Sequence, residues 1–201
     1  AGLSGCCAAL SAAEEGAKVV LLEKTDNVNF RGIDYGAIGS KMQKSIGNEV
    51  DKMKAVQEIM RYNAYKGDQR VISLWANHSG KVADWIMEKA EKVGCKPVPV
   101  PIAETTTPGA KLEVFGTLSF RIEPNEEALT YVPKGSDPYL AGLVYTFKKN
   151  VENDSNIDLR YKTPAVQLVR EGDGPVTAVI AGEKGNYTKF VAKKGVILCT
   201  G

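Results

Sequence analysis

The first 24 residues, AGLSGCCAALSAAEEGAKVVLLEK, constrain the fold of this chain more than any other stretch. Gly2 and Gly5 stand three residues apart at the head of an apolar segment with helical spacing. Gly16 stands where a C-terminal glycine cap of this helix is expected, and a continuous apolar run, Lys18–Leu22, then follows and ends at Glu23. The pattern predicts a helix over 3–15 that packs on a buried parallel strand, as in the second half of a βαβ unit.

Spaced glycines at a helix start are typical of a dinucleotide site. One glycine before Ala1 would complete the pattern G-x-G-x-x-G, so we expect the chain to be a fragment without its first strand. Gly2 would let the backbone approach a diphosphate, Gly5 would let the helix pack closely on the sheet, and the helix start attracts the anion. Glu23 follows Gly5 at close to the ~20-residue spacing of a ribose-binding acid. A carboxylate there disfavours a 2′-phosphate, and hence NADP.

Charge and cysteine content exclude several classes of site. The 26 basic and 24 acidic residues are interspersed, which gives no clustered basic face for nucleic acid. Apolar runs stay well short of the ~20 residues of a membrane span. The four cysteines, Cys6, Cys7, Cys95 and Cys199, lack metal-ligand spacing. They are interpreted as structural thiols in a reducing compartment, and we expect a cytoplasmic protein without a metal site.

The middle of the chain is predicted to be mainly helical. Residues 51–93 show helical periodicity, and the only histidine, His78, is expected between two helices as a structural residue. The predicted N-caps and helix stops are Asp51, Asp68, Ser79, Gly67 and Gly94. The predicted core-facing residues are Leu3, Cys6, Cys7, Leu10 and Ala13 in the first helix, and Val56, Ile59, Met60, Val71, Ile72, Trp75, Val82, Trp85 and Ile86 in the later ones.

The second half of the chain is predicted to be rich in strands. An irregular β region over 97–134 contains a hairpin around Gly116, and a helix runs from Pro138 to about Glu152. The stretches NIDLRY, AVQLVRE, VTAVIAG and YTKFVAK each predict a strand of an antiparallel meander. GVILCTG is predicted as a short buried strand that ends the chain.

The order of these elements separates two kinds of nucleotide domain. A plain NAD domain places its third parallel strand after one helical crossover, whereas roughly 130 residues intervene here. With GLSGCCAALSAAEEGAKVVLLEK, TPAVQLVREGDGPVTAVIA and AKKGVILCTG, the chain resembles the fumarate reductase/succinate dehydrogenase flavoprotein family. That family includes flavocytochrome c fumarate reductases, urocanate reductases and ketosteroid dehydrogenases.

The resemblance implies an α/β fold and a domain division. It implies a Rossmann-like FAD-binding domain of the glutathione-reductase type, with an antiparallel β-meander and a helical insertion. Within it, 1–24 would be a partial dinucleotide-binding unit, 41–153 the insertion with its β region, and 157–201 the meander and closing strand. The substrate-capping domain is expected outside this chain.

The resemblance also implies which residues hold FAD. Gly2, Ser4 and Gly5 would cradle the diphosphate, and Glu23 with Lys24 would lie at the adenosine ribose. Arg31 and Gly32 stand near the asparagine of the family's flavin loop, although the loop sequence FRGIDYGAIGS departs from the family pattern. The other implied contacts are Ala37 and Gly39 at the isoalloxazine, the backbone of Ala165 at the adenine edge, and Thr200 and Gly201 in a turn near the cofactor. Arg31 could equally pair with a phosphate, stabilise a reduced flavin or be a surface residue.

The chemistry implied by the resemblance is hydride transfer between the flavin and an activated C=C bond of a small fumarate-, enoate- or ketosteroid-like substrate. The family's proton donor, an arginine or tyrosine, is expected beyond Gly201, so no catalytic residue is named and the 201-residue chain alone is expected to be inactive. Two alternatives stay open: a dehydrogenase that uses NAD alone, and a non-catalytic flavin-binding subunit. The electron donor and oligomeric state also stay open.

Overall fold

A computed structural model describes residues 1–100 and 119–200 of the chain. It is a mixed α/β structure with parallel and antiparallel strand pairs. The chain divides into two compact units, one of Ala1–Arg31 with Val144–Gly201 and one of Gly32–Leu143. The domain division predicted from the sequence stays a prediction.

The first unit begins with the predicted helix and strand. Helix α1 spans Leu3–Glu14, and strand β1 spans Val19–Leu22. Gly16, with a φ of 77°, ends the helix. Its N–H donates to Ala13 O at 2.9 Å and the N–H of Ala17 donates to Ala12 O at 3.0 Å, which is a Schellman cap. The predicted role of Gly16 is confirmed.

Two burial predictions in this region are wrong in part. Cys6, Leu10 and Ala13 are buried in α1 as predicted, whereas Leu3 and Cys7 are only half-buried. Strand β1 is not covered on both faces, because Val20 is 46% exposed. In the part of the chain that the structure describes, its one strand neighbour is β5, Ile157–Arg160, which pairs with it in parallel.

The meander follows in the same unit. Strands β6 (Ala165–Val169), β7 (Ala178–Glu183) and β8 (Asn186–Val191) form a three-stranded antiparallel sheet in that order. Lys184 and Gly185, with φ values of 51° and 88°, form the two-residue turn between β7 and β8. Three of the four predicted meander strands are therefore confirmed.

The remaining two strand predictions need correction. NIDLRY forms β5, but it pairs with β1 in parallel and is not part of the meander. Residues 195–200 are irregular and not a buried strand, with Ile197 69% and Leu198 62% exposed. An apolar run forms a strand only where a neighbouring backbone pairs with it, and among the described residues none pairs with this one.

The second unit combines helices with a small sheet. Strands β2 (Tyr35–Gly36), β4 (Ser119–Glu123) and β3 (Lys96–Pro99) form an antiparallel sheet with β4 in the middle. The helices are α2 (Lys41–Ser45), α3 (Lys52–Tyr62) and α4 (Gln69–Lys92), with a 3₁₀ helix at Ala128–Tyr131. Helix α5 spans Pro138–Glu152 as predicted and contains the division between the units. The hairpin predicted around Gly116 lies outside the described residues.

The helix boundaries test the predicted caps. Asp51 accepts hydrogen bonds from the N–H groups of Met53 and Lys54, and Asp68 accepts one from Arg70, so both are N-caps. Gly94, with a φ of 76°, ends α4 as predicted. Gly67 does not end a helix, because α3 already stops at Tyr62 and the chain turns through positive φ values at Ala64 and Tyr65.

Helix α4 is one continuous helix of 24 residues. Ser79 is buried in its middle and is not an N-cap, and His78 is an exposed helical residue and not a linker residue. Val71 and Val82, predicted to face the core, are 64% and 50% exposed. A prediction from large apolar residues overlooks small ones, and the buried stripe of α4 consists mainly of small residues. Its members are Ala76, Ser79, Gly80, Ala83, Ile86, Met87 and Ala90.

Candidate functional site

The start of α1 presents backbone N–H groups without a side-chain cap. Gly2 is the N-cap residue in an extended conformation, and the first intrahelical hydrogen bond runs from Cys6 N to Gly2 O at 3.0 Å. The amides of Leu3, Ser4 and Gly5 therefore precede the hydrogen-bonded part of the helix. Uncapped amides at the positive end of a helix dipole bind anions such as a diphosphate.

Gly5 lies where the two ends of the chain meet. A Cβ atom built on Gly5 would lie 3.6 Å from Leu21 Cδ1 in β1 and 3.5 Å from Cys199 Cβ. Helix α1 thus packs on β1, and Cys199 lies beside the start of the helix. The proposed diphosphate residues and Thr200 belong to the same unit, and the role of Thr200 stays a prediction, while Gly201 lies outside the described residues.

The thiols at this helix start are neutral. Burial raises the pKa of Cys6 to about 12 and that of Cys7 to about 11. Both thiols therefore stay protonated near neutral pH and leave the positive end of the helix without a competing anion. This agrees with their interpretation as structural residues.

Glu23 is held at the carboxyl end of β1. Its N–H donates to Arg160 O at 2.8 Å, and its carbonyl oxygen accepts from Thr163 N at 2.9 Å. The residue is 6% exposed. Its carboxylate accepts hydrogen bonds from the amino group of Ala1 and from Thr25 N at 2.8 Å, and the Thr25 hydroxyl lies 2.7 Å away.

These hydrogen bonds set the charge of Glu23. Burial disfavours the carboxylate form, but in the 201-residue chain the terminal amino group of Ala1 and the donors of Thr25 outweigh burial, so the pKa of Glu23 lies below its ordinary value. Glu23 is therefore ionised at neutral pH. A buried anion at the end of β1 can only accept hydrogen bonds, which suits ribose hydroxyls.

The other predicted cofactor residues of the first unit are more exposed. Lys24 and Arg31 are exposed on either side of the loop that follows β1. Ala165 begins β6 beside an irregular register step at Ala165/Gln167, and it is exposed. The implied roles of these three residues stay predictions.

Gly32, Ala37 and Gly39 lie in the second unit. Gly32 and Gly39 have φ values of 87° and 83° and are exposed, whereas Ala37 is 3% exposed. The backbone of Gly39 is accessible, and a Cβ atom built on it would meet nothing within 4 Å. Whether these residues contact the isoalloxazine stays a prediction.

Sequence reasoning missed the short helix that follows Gly39. Ser40 caps α2 by accepting from Gln43 N at 3.1 Å, and Gln43 Oε1 accepts from Gly39 N at 2.5 Å. Both side chains are buried. The signal was present as the capping-box pattern S-x-x-Q, which fixes the backbone on both sides of the helix start.

Comparison with protein families identifies the group to which this chain belongs. The family model described as "FAD binding domain" matches residues 1–201. The chain belongs to this FAD-binding family. The FAD cofactor and the flavoprotein resemblance predicted from the sequence are thereby confirmed.

Two curated proteins from this comparison are reductases. Digoxin reductase of Eggerthella lenta is 25% identical over 205 residues, which cover 98% of this chain and 33% of that protein. Fumarate reductase (cytochrome) of Shewanella frigidimarina is 26% identical over 211 residues, which cover 100% of this chain and 32% of that protein. The chain spans about a third of the length of these relatives.

A solved structure shows the same fold. The 3-ketosteroid-Δ4-(5α)-dehydrogenase from Rhodococcus jostii RHA1, in complex with 4-androstene-3,17-dione, matches with a TM-score of 0.74 at 20% identity. The match covers 100% of this chain and 44% of that chain. The predicted Rossmann-like α/β class of FAD-binding domain is confirmed.

The residues of the first unit fit FAD. The uncapped amides of α1 suit its diphosphate, and the ionised Glu23 suits its ribose. Within 1–100 and 119–200, every helix is too short or too polar to cross a bilayer.

Proposed function

We propose that this chain is the FAD-binding part of an FAD-dependent oxidoreductase that transfers a hydride between its flavin and an activated C=C bond. The family and its reductases support the oxidoreductase class. Fumarate and 4-androstene-3,17-dione, named with two of the similar proteins, each carry a C=C bond conjugated to a carbonyl group. A small, electron-poor alkene is therefore the substrate class that we favour.

The observation in this chain that supports its FAD-binding role is the pairing of an open helix start with a buried anion. The α1 amides supply hydrogen-bond donors for a diphosphate, and Glu23 at the end of β1 supplies an acceptor for the adjacent ribose. A carboxylate at that point repels a 2′-phosphate, which favours FAD over NADP on this unit.

The division of labour follows from these groups. Bound FAD supplies the hydride-transfer chemistry at its flavin ring. The residues of this chain bind and orient it: the α1 amides hold the diphosphate and Glu23 holds the ribose, with Cys199 packed beside Gly5 at the helix start. We assign substrate binding and proton donation to segments of the intact protein beyond these residues.

The proposed chemistry is tested on the intact gene product. We expect it to be purified with FAD and to oxidise reduced methyl viologen when fumarate, an enoate or a steroid enone is supplied. Flavin absorbance and viologen bleaching are the measurements. Tight binding of NADH by a protein that takes up no FAD would refute the proposal, and FAD binding without turnover of any such alkene would refute the enzymatic part.

The role of Glu23 is tested by substitution. We expect Glu23→Ala to weaken FAD binding about 10- to 100-fold, because a hydrogen bond to a charged group contributes about 1.5–3 kcal/mol. Glu15→Ala removes an exposed carboxylate just after α1 and serves as the matched control. Equal FAD affinity in the two variants would exclude Glu23 from the site.

A further inference from the structure

Helix α4 holds the segment Gly36–Lys41 through a series of side chains. The segment meets them in chain order, so it runs along the helix. The hydrogen bonds are Trp75 Nε1 to Gly36 O at 3.1 Å, Ile38 N to Ser79 Oγ at 3.0 Å and Lys41 N to Asp84 Oδ1 at 2.7 Å. Because 75 and 84 are on opposite flanks of the buried stripe of α4, the segment also crosses that stripe.

Gly80 lets the backbone of this segment lie directly on the helix. A Cβ atom built on Gly80 would lie 2.4 Å from Ile38 O, 2.6 Å from Gly39 C and 2.8 Å from Ser40 N. Real Cβ atoms do not approach backbone atoms so closely. Ser79 and Gly80 therefore act together: Ser79 accepts a hydrogen bond from the segment, and Gly80 has no side chain that would push the segment away.

The side chain of Ile38 anchors the segment in the hydrophobic core between α3 and α4. It is 3% exposed and belongs to a buried cluster with Ala55, Val56, Met60 and Ala76 from α3 and α4. The neighbouring Gly39 is exposed, with open space where a Cβ atom would stand. The segment thus has one side fastened to α4 and, at Gly39, one side that a ligand can approach.

We propose that Trp75, Ser79 and Asp84 are positioning residues that hold the Gly36–Lys41 segment in its ligand-ready conformation for the flavin part of FAD. This inference rests on the proposed function and on the predicted contact of Ala37 and Gly39 with the isoalloxazine. A segment that is already fixed before binding loses little conformational entropy on binding, and this raises affinity and fixes the flavin's surroundings.

The first test removes the buried acceptor. Ser79→Ala leaves the Ile38 N–H without its hydrogen-bond acceptor. We expect the segment then to move away from α4 for part of the time. If the segment keeps its binding-competent conformation on α4 about a tenth of the time, the apparent Kd for FAD rises about tenfold. Titration of the intact apoprotein with FAD measures this, and the flavin midpoint potential should shift as well. Ser79→Thr keeps the hydroxyl and should restore both values.

A matched control separates positioning from general stability. Ile86→Val makes a small cavity in the buried face of the same helix, and Ile86 makes none of the segment's hydrogen bonds. It should lower Tm while FAD affinity and midpoint potential stay at wild-type values. If Ser79→Ala and Ile86→Val both lower Tm and neither changes the Kd or the potential, Ser79 is only structural and the inference fails.

A second position keeps the test decisive if Ser79→Ala does not fold. The hydrogen bond of Asp84 is exposed, so Asp84→Ala should fold while freeing Lys41, and Asp84→Asn keeps the acceptor oxygen. We expect weaker FAD binding in the alanine variant and near wild-type binding in the asparagine variant. Wild-type protein that takes up no FAD would refute the proposed function. If the wild type binds FAD and the Ser79 and Asp84 variants bind it equally well, only the positioning role of these residues is refuted.

Discussion

Gly5 in α1 and Gly80 in α4 are both helical glycines that face another segment, yet their surroundings differ. A Cβ atom on Gly5 would make ordinary contacts of 3.5 and 3.6 Å with two side chains. On Gly80 it would overlap backbone atoms at 2.4–2.8 Å. Gly5 belongs to a recognisable sequence motif, yet the protein around it leaves space for a Cβ atom. Gly80 belongs to no motif, and the backbone packed against it leaves no space for a Cβ atom.

The difference in the space around Gly5 and Gly80 points to two different reasons for having a glycine in a nucleotide-binding domain. In the first unit, we attribute the glycine to a ligand that must approach the helix start. In the second unit, the glycine serves the protein itself, because a loop backbone lies against the helix. The same substitution at the two positions should therefore have different consequences.

The largest effect is expected for Gly80→Ala. Alanine normally stabilises a helix relative to glycine, but here its methyl group would displace the backbone of Ile38–Ser40, at a cost on the order of 3 kcal/mol. Urea unfolding of the 201-residue chain measures this, with Asn77→Ala on the exposed side of α4 as the control. An unchanged or increased unfolding free energy would show that the segment does not lie on α4.

A smaller, pH-dependent effect is expected for Glu23→Gln, at about 2 kcal/mol near neutral pH. The pKa of Glu23 is lower in the folded chain than in the unfolded one, so its contribution is complete above the ordinary glutamate pKa and is lost as pH falls through the folded value. Wild type should therefore lose more stability than Glu23→Gln between pH 6 and pH 3. The measurement uses the 201-residue chain, in which Ala1 carries the terminal amino group, and parallel pH profiles would contradict the contacts of the Glu23 carboxylate with Ala1 and Thr25.

An effect of about 1 kcal/mol is expected for Asp51→Ala, because the N-cap accepts two backbone N–H groups at the start of α3. Asp51→Asn keeps an acceptor oxygen and should recover most of the loss. Thermal unfolding of both variants measures the difference. A neutral Asp51→Ala would mean that water replaces this cap fully.

The smallest effect on stability is expected for Gly5→Ala, within about 0.5 kcal/mol of wild type, since the new contacts are ordinary and alanine favours the helix. The informative measurement is FAD binding by the intact protein, which should weaken where stability does not. Loss of stability comparable to Gly80→Ala would erase the distinction between the two glycines.

The elements that sequence predicted well are those fixed by nearby residues. Helix α1 with its Gly16 cap, the Asp51 and Asp68 N-caps, and helix α5 all depend on contacts a few residues apart. The errors arose where a distant segment decides. Ser79 looked like an N-cap and proved to be the acceptor for Ile38 N, and α4 buries alanines where valines were expected.

The apolar run at 195–200 teaches the same lesson. Its composition suits a buried strand, but strand formation needs a partner backbone, and composition carries no information about one. The run instead places Cys199 beside Gly5. Its predicted conformation was therefore wrong, while the predicted place of Thr200 and Gly201 in a turn near the cofactor stays a prediction.

The sequence by itself determined that the site takes an adenine dinucleotide and predicted the local elements around it: spaced glycines, an apolar helix, an apolar strand and a terminal acid suffice for this, because their roles are set within about 24 residues. Only the tertiary structure decided that Gly36–Lys41 rests on Trp75, Ser79, Gly80 and Asp84. Those contacts join residues about 40 positions apart. Hydrogen bonding and steric exclusion across such a distance depend on how the chain packs, and no local pattern encodes them.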